Sequence, residues 1–200
     1  QVVGAAALDS SAAIALSNAI ALDADLTLAG SNNLALNGGI AGAGGLVKLG
    51  SGTLELNANN QYSGNTQLNA GTLKLGQQAA MGSGVLHVTG AAHLDTASSM
   101  AVGNRIQLDQ ALTVDGSHDL LLSGAISGSG DLIKQGNATL TLTGPNSATG
   151  GTTINAGRLV ASATSIGSGA IINNAALELN QASDAILAQA ISGSGSLIKT

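Results

Sequence analysis

The amino-acid sequence repeats itself at a spacing of 86 residues, and this feature constrains the fold more than any other. Residues 44–48, Gly-Gly-Leu-Val-Lys, return at 130–134 as Gly-Asp-Leu-Ile-Lys, and the Asn-Ala-Gly at 69–71 returns at 155–157. A third copy begins at 195–199, only 65 residues after the second. The shortfall of 21 residues is about one coil of a β-solenoid, so the spacing indicates a stacked, one-dimensional architecture.

The copies also predict the organisation of the chain. Partial repeats occupy about 1–43 and 195–200, and fuller repeats occupy 44–129 and 130–194. Both ends of the chain fall inside a repeat, so we expect residues 1–200 to be a single β-helical segment of a longer protein. The first twenty residues lack a basic start and a compact apolar stretch, so no signal peptide is expected there.

Within each repeat, apolar and polar residues alternate over short runs bounded by turn residues. Thr53-Leu54-Glu55-Leu56 and its counterpart at 139–142, Thr-Leu-Thr-Leu, are examples. Such alternation is typical of strands with one face buried, and the bounding Gly, Asn, Ser and Asp favour turns. Dividing 86 residues into four coils predicts a right-handed parallel β-helix of about nine coils, each of roughly 21–22 residues. One stretch, 181–190, is compatible with either a helix or a corner of a coil.

The composition excludes several classes of protein. The chain is 44% apolar but has one aromatic residue, Tyr62, so small branched side chains must fill the core. A net charge of −5 and the lack of stacking aromatics argue against a nucleic-acid partner. The chain has no cysteine, which excludes disulfides and thiolate sites. No apolar run reaches the roughly 18 residues of a membrane-spanning helix.

Residues that could carry chemistry are few and scattered. His87, His93 and His118 do not recur at the repeat spacing, and none has the spacing of a helical metal site. His118-Asp119 suggests a catalytic triad only superficially, because no G-x-S-x-G is present and adjacent strand residues point to opposite faces. Arg105 and Arg158 lie away from any repeated acidic cluster, which argues against a pectate-lyase type of site.

The remaining polar patterns favour structural roles. Residues 128–132, Gly-Ser-Gly-Asp-Leu, match a calcium-binding nonapeptide only in part, and the recurring acids (Asp9, Asp95, Asp23 and Asp109) are isolated. The Thr-x-Thr-x-Thr of an ice-binding rung at 139–143 is not sustained at 53–57. The recurring cations are Lys48, Lys134 and Lys199. We interpret them as caps of corner carbonyls or partners of a neighbouring coil, with receptor contact as the alternative. The sequence therefore predicts no catalytic, cofactor-binding or metal site.

Residues 44–76 resemble the passenger-associated transport repeat of Gram-negative autotransporters, which use type V secretion. The pattern G-x-L-x-K-x-G-x-G-T-L-x-L, then N-x-Y-x-G-x-T and a closing N-A-G-T-L, is matched at 44–56, 60–66 and 69–73. A weaker copy spans 130–159, where Ala148 stands at the position of Tyr62. The resemblance implies a secreted or surface-displayed β-helical passenger, exported through an outer-membrane barrel of the same parent protein.

The resemblance also implies a function. Members of this family are mostly adhesins, self-associating proteins and biofilm factors involved in virulence, and the repeat aids passenger folding and secretion. We therefore expect a non-enzymatic structural or interaction module whose partners are a host or matrix surface, glycans, or copies of itself. Two alternatives stay open: a β-helical spine whose protease or toxin domain lies outside this segment, and a carbohydrate-active β-helix.

Overall fold

A computed structural model describes residues 1–200 as short parallel β-strands with no helix. The first half of the chain forms β1 (Ala6–Leu8), β2 (Ile14–Leu16), β3 (Ile20–Leu22), β4 (Leu26–Leu28), β5 (Leu34–Leu36), β6 (Ile40–Gly42), β7 (Leu46–Lys48), β8 (Thr53–Leu56), β9 (Gln61–Tyr62), β10 (Thr66–Leu68), β11 (Thr72–Leu75), β12 (Leu86–Val88) and β13 (Ala92–Thr96). The second half forms β14 (Met100–Val102), β15 (Ile106–Leu108), β16 (Leu112–Val114), β17 (Leu120–Leu122), β18 (Ile126–Gly128), β19 (Leu132–Lys134), β20 (Thr139–Leu142), β21 (Thr152–Ile154), β22 (Arg158–Ala161), β23 (Ile171–Asn173), β24 (Ala176–Leu179), β25 (Ile191–Ser192) and β26 (Ser196–Lys199).

The strands stack into three faces of a solenoid. Face 1 is the sheet β1-β4-β7-β10-β12-β15-β18, and face 2 is the ten-stranded sheet β2-β5-β8-β11-β13-β16-β19-β21-β23-β25. Face 3 begins as β3-β6-β9 and resumes as β14-β17-β20-β22-β24-β26. Every strand pairs in parallel with its neighbour on the adjacent coil, as in β4 with β7 and β16 with β19. The structure thus confirms the all-β parallel solenoid expected from the sequence, and residues 181–190 form a corner with no helix.

The coil is shorter than the sequence repeat suggests. On face 1, Leu26 pairs with Leu46, and Leu46 pairs with Thr66, so a coil takes 20 residues there, and single steps on the other faces take 18 to 21. Face 2 has ten strands, so the chain makes ten turns where about nine are expected from coils of 21–22 residues. Stacked strands lie about 4.8 Å apart, which gives a rod on the order of 45 Å long.

The difference arises because the 86-residue repeat is not a whole number of coils. Four coils after Leu46, the chain reaches Ile126 on the same face, and the matching Leu132 lies in β19 on face 2. The third copy, at Leu197, lies in β26 on face 3. The first repeat therefore spans four coils and one further face, whereas the second, of 65 residues, spans three coils and one further face. All three faces offer the same alternation of buried and outward positions, so the motif is accommodated on any of them.

The core is a set of aliphatic rows that run along the rod axis. On face 1, Leu46, Thr66, Leu86 and Ile106 stack in register, and all four are buried. Each fully buried Leu or Ile contributes about 1.5–3 kcal/mol relative to an exposed one. The alternation read from the sequence therefore assigns the inward positions correctly.

Tyr62 is fully buried in β9, and its hydroxyl lies 2.6 Å from Thr66 Oγ1. Burial raises the pKa of this phenol to about 12, and the hydrogen bond with Thr66 partly opposes that shift. In the second copy, the smaller Ala148 is buried at the matching position. The single aromatic side chain thus fills core space on one face of one coil.

Side-chain amides and carboxylates continue the backbone ladder at the corners. Asn60 accepts from Ile40 N at 2.8 Å through Oδ1 and donates to Ala80 O at 2.6 Å through Nδ2, so it links three successive coils. At five other corners, an Asn or Asp side-chain oxygen accepts a hydrogen bond from the backbone N–H of the residue 20 positions later in the chain. The accepting residues are Asp25, Asn33, Asn65, Asp119 and Asp131. These bonds satisfy backbone groups where no strand pairing exists.

Candidate functional site

The outward side of face 1 carries a row of planar polar side chains. Gln67, His87 and Gln107 lie in register on β10, β12 and β15. His87 Nε2 donates to Asp109 Oδ2 at 2.6 Å, and Gln107 Nε2 donates to the other oxygen of that carboxylate at 3.1 Å. These hydrogen bonds, chiefly the one from His87, lower the pKa of Asp109. The side chains of His87 and Gln107 are held in place by these hydrogen bonds, and the row remains accessible to solvent.

Face 2 carries a row of charged residues on neighbouring strands. Glu55, Lys74 and Asp95 are in register on β8, β11 and β13, and Lys74 Nζ lies 2.9 Å from Glu55 Oε1. Asp95 accepts from the backbone N–H and hydroxyl of Ser117 at 3.2 and 2.7 Å. An exposed ion pair of this kind contributes about 0–1 kcal/mol, so the row shapes the surface more than it stabilises the rod.

The sequence reasoning missed a recurring contact between residues 22 positions apart. His93 Nδ1 donates to Asp115 Oδ1 at 2.7 Å, in the same way that His87 pairs with Asp109. His118 Nδ1 donates to Thr96 O at 2.9 Å with the same separation. Twenty-two residues are one coil plus two strand positions, so these pairs are detectable only when the 20-residue coil is known.

His118 and its neighbour Asp119 make contacts in different directions. His118 binds the Thr96 carbonyl, whereas Asp119 Oδ1 accepts from Thr139 N at 2.7 Å on the next coil. Both residues lie in the corner before β17 and outside any strand. The two side chains serve separate corner contacts and form no nucleophile–base pair.

The acidic residues considered for calcium are dispersed. Asp131, in the partial nonapeptide match, accepts from Gly151 N at 2.7 Å and caps a corner. Asp9 accepts from Ser10 N at 2.6 Å, and Asp23 accepts from Gln1 Nε2 at 2.6 Å. The structure contains no group of three or more His, Cys, Asp or Glu side chains that could hold a metal ion.

The recurring lysines divide into buried and exposed members. Lys48 and Lys134 point into the core and are 3% and 1% exposed, whereas Lys199 is exposed. Lys48 Nζ donates to Gly50 O and Gly52 O at 2.6 and 2.5 Å. Burial lowers the pKa of Lys48 to about 8 and also lowers the pKa of Lys134. Both buried ammonium groups cap corner carbonyls, as interpreted from the sequence.

Face 3 carries an outward row that is mostly apolar. Ala101, Leu121, Thr141 and Val160 are in register there, so the Thr pattern at 139–143 does not continue on adjacent coils, as expected from its absence at 53–57. Arg158 on β22 forms an ion pair with Glu178 on the adjacent strand β24. Arg105 lies far along the chain from this pair, and the two arginines do not share a site.

The surface recesses are open. The largest, about 510 Å³, lies on face 2, where the small side chains of Ala15 and Ala35 adjoin the Glu55–Lys74 pair. A second, about 250 Å³, lies on face 3 beside Thr141 and Val160 and holds no ionisable side chain. The structure has no helix that is long and apolar enough to cross a membrane.

The two main copies of the motif agree at most inward positions, apart from changes such as Tyr62 to Ala148, and differ on the outside. Inward pairs such as Leu54 with Leu140 and Leu73 with Leu159 are kept and buried. Outward pairs differ in chemistry, with Glu55 replaced by Thr141, Gln67 by Thr153 and Lys74 by Val160. The copies also lie on different faces, so each face of the rod presents its own set of side chains.

Two comparisons find similarity between this chain and known proteins. The family model described as the passenger-associated transport repeat matches residues 46–75 and 132–161. The chain is 38% identical over 134 residues to a protein named adhesin BmaC autotransporter, from Brucella suis biovar 1 (strain 1330). That match covers 59% of this chain and only 4% of the adhesin, so the chain spans a small part of this relative. No solved structure matches the chain significantly. The matches confirm the resemblance inferred from the sequence, which is to the passenger of an adhesin-like autotransporter with passenger-associated transport repeats.

Proposed function

We propose that this segment is a structural and interaction module of a secreted or surface-displayed autotransporter passenger. Its role is adhesion to a host or matrix surface, to glycans, or to copies of itself, including the self-association that supports biofilms. We further propose that it is part of a longer passenger, anchored and exported through a barrel elsewhere in the parent protein. The similarity to a protein named an adhesin supports this proposal.

The observation that carries the proposal is the contrast between a repeated interior and a varied exterior. The inward residues of the motif recur because they build the rod, whereas outward residues such as Gln67 and His87 on face 1 do not recur. A surface that varies over a constant scaffold is suited to recognition. Several weak contacts along one rod sum to useful avidity.

The sequence contains no recognisable catalytic motif, which supports a non-enzymatic role. The carboxylates of Asp109 and Asp115 are each engaged by one histidine. A carbohydrate-active β-helix needs acids and a base gathered on one face. We therefore propose binding without turnover.

Binding is tested with the 200-residue chain on arrays of glycans and immobilised matrix proteins, and self-association is tested by sedimentation. Two variants serve as matched probes: Gln67→Ala with Gln107→Ala on face 1, and Thr141→Ser with Val160→Ala on face 3. These residues are outward and solvent-facing, so both variants keep the fold. Binding that is lost in one variant and kept in the other identifies the recognition face.

The second candidate function is that of a spine for an effector domain elsewhere in the parent protein. A strictly monomeric chain that binds no array component, together with a globular insertion in the sequence of the parent, would favour the spine over the adhesin.

A further inference from the structure

The buried ammonium groups of the motif are unusual because neither has a carboxylate within ion-pair distance, although the charge of Asp119 partly opposes the lowering of the Lys134 pKa. Lysine is rarely buried unless it is paired, and neither Lys48 nor Lys134 forms an ion pair. Lys48 Nζ instead binds the carbonyls of residues 50 and 52, which belong to the corner that follows its own strand. Lys134 Nζ binds Gln135 O at 2.5 Å and Gly136 O at 2.7 Å in the equivalent corner.

A glycine of the next coil lies directly over each of these corners. A Cβ atom at Gly71 would lie 2.5 Å from Gly52 O and 2.7 Å from Gly50 O, the two oxygens that Lys48 holds. Gly71 has a φ of +71°, which disfavours other residues. The Asn-Ala-Gly turn therefore approaches the corner closely because its glycine has no side chain.

The second copy has the same arrangement on another face. A Cβ atom at Gly157 would lie 2.5 Å from Gly136 O, which Lys134 binds, and the φ of Gly157 is +68°. Lys134 Nζ also reaches Ala156 O at 3.3 Å, so this ammonium contacts the turn of the next coil directly. The lysine and the Asn-Ala-Gly turn, which recur together in the sequence, thus meet at one place in the fold.

We propose that Lys48 with Gly71, and Lys134 with Gly157, form inter-coil locks. In each lock the ammonium holds the corner carbonyl oxygens close together through hydrogen bonds. These carbonyls form the surface on which the Asn-Ala-Gly turn of the next coil packs. Gathered carbonyl dipoles repel one another, and the positive charge offsets that repulsion in a core of low dielectric. The acceptors of Lys48 are only two and four residues away, so its corner can form before the next coil arrives. The locks are independent of what the outer faces bind.

A double-mutant cycle tests the lock, because residues that act as one unit are not additive. Lys48→Met, Gly71→Ala and the double variant are compared by hydrogen exchange at the Asn69 and Thr72 amides, which bond to Lys48 O and Gly52 O. We expect the opening constant of the double variant to differ from the product of the single effects by more than about threefold. The matched control combines Lys48→Met with Gly157→Ala, which lies in the other lock, and should be multiplicative.

The reciprocal cycle uses Lys134→Met, Gly157→Ala and the exchange of the Asn155 amide, which bonds to Lys134 O. Multiplicative effects within both locks would overturn the proposal. If Gly71→Ala prevents folding, the Lys48→Met variant alone still tests the proposal. Lys48→Met should speed exchange at the Asn69 and Thr72 amides by about tenfold or more and leave exchange at Asn155 unchanged. Leu68→Met changes a residue of the same inner row and should not speed exchange at Asn69 or Thr72 to this extent. Equal effects of Lys48→Met and Leu68→Met would show that the lysine acts only as core filling.

Discussion

Alkaline titration of Tyr62 tests the described core directly, because this residue is the only tyrosine and the only aromatic residue in the chain. The side chain is fully buried, and burial raises its pKa from 10.0 to about 12. A difference of about two pH units, at about 1.4 kcal/mol each, corresponds to about 3 kcal/mol between the folded and unfolded chains. The folded pKa is the higher one, so this stability is fully present below pH 10 and is lost as the pH rises through about 12.

The assay follows the near-ultraviolet absorbance of tyrosinate while circular dichroism monitors the strands. We expect the folded chain to show no tyrosinate at pH 10.5, whereas the chain in denaturant titrates near pH 10. Tyrosinate that forms near pH 10 while the strand signal is unchanged would refute the placement of Tyr62 in the core.

Two variants serve as controls for this titration. Thr66→Val removes the hydroxyl whose hydrogen bond lowers the pKa of Tyr62, so the phenol should titrate at a still higher pH. Tyr62→Phe removes the titrating group, so the loss of stability between pH 10 and 12 should disappear with it. A Tyr62→Phe chain that loses the same stability over this range would assign the effect to another group.

Three further predictions concern the interior and the corners. The pKa of Lys48 is lowered from 10.5 to about 8, so the free energy of unfolding should rise between pH 8 and 10.5, and Lys48→Met should reduce that rise in denaturant titrations to the part that Lys134 contributes. Asn60→Ala leaves a backbone N–H of the preceding coil and a carbonyl of the next without partners, and should cost about 2–5 kcal/mol in chemical denaturation. Leu108→Ala should cost about 2–5 kcal/mol because it opens a cavity, whereas Gln107→Ala, its outward neighbour, should change stability by less than about 0.5 kcal/mol. Equal losses for these last two variants would contradict the assignment of inward and outward positions.

Many features of this fold were predictable because they depend on local chemistry. Alternation at 53–56 and 139–142 places Leu54 and Leu140 in the core, since successive strand residues point to opposite sides. The Asn, Ser and Asp residues that bound the short strands were expected to favour turns, and Asn60 lies in such a corner, where its side chain links three coils. The interpretation of Lys48 as a cap of corner carbonyls also needed only its position next to a glycine-rich corner.

Contacts between coils could not be derived in the same way. The coil length was overestimated because the sequence repeat spans four coils and one further face, and no residue pattern distinguishes one face from another. The pairing of His87 with Asp109, and the approach of Gly71 to the corner held by Lys48, depend on the register between coils.

The sequence by itself therefore determined which side chains point inward, where the chain turns and which family it resembles. Only the tertiary structure decided which residues are neighbours along the rod and on which face each copy of the motif lies. The physical reason is that burial and turn propensity are properties of individual residues and their immediate neighbours. Register is instead set by the summed lengths of three strands and three corners, closed by hydrogen bonds to residues about 20 positions away.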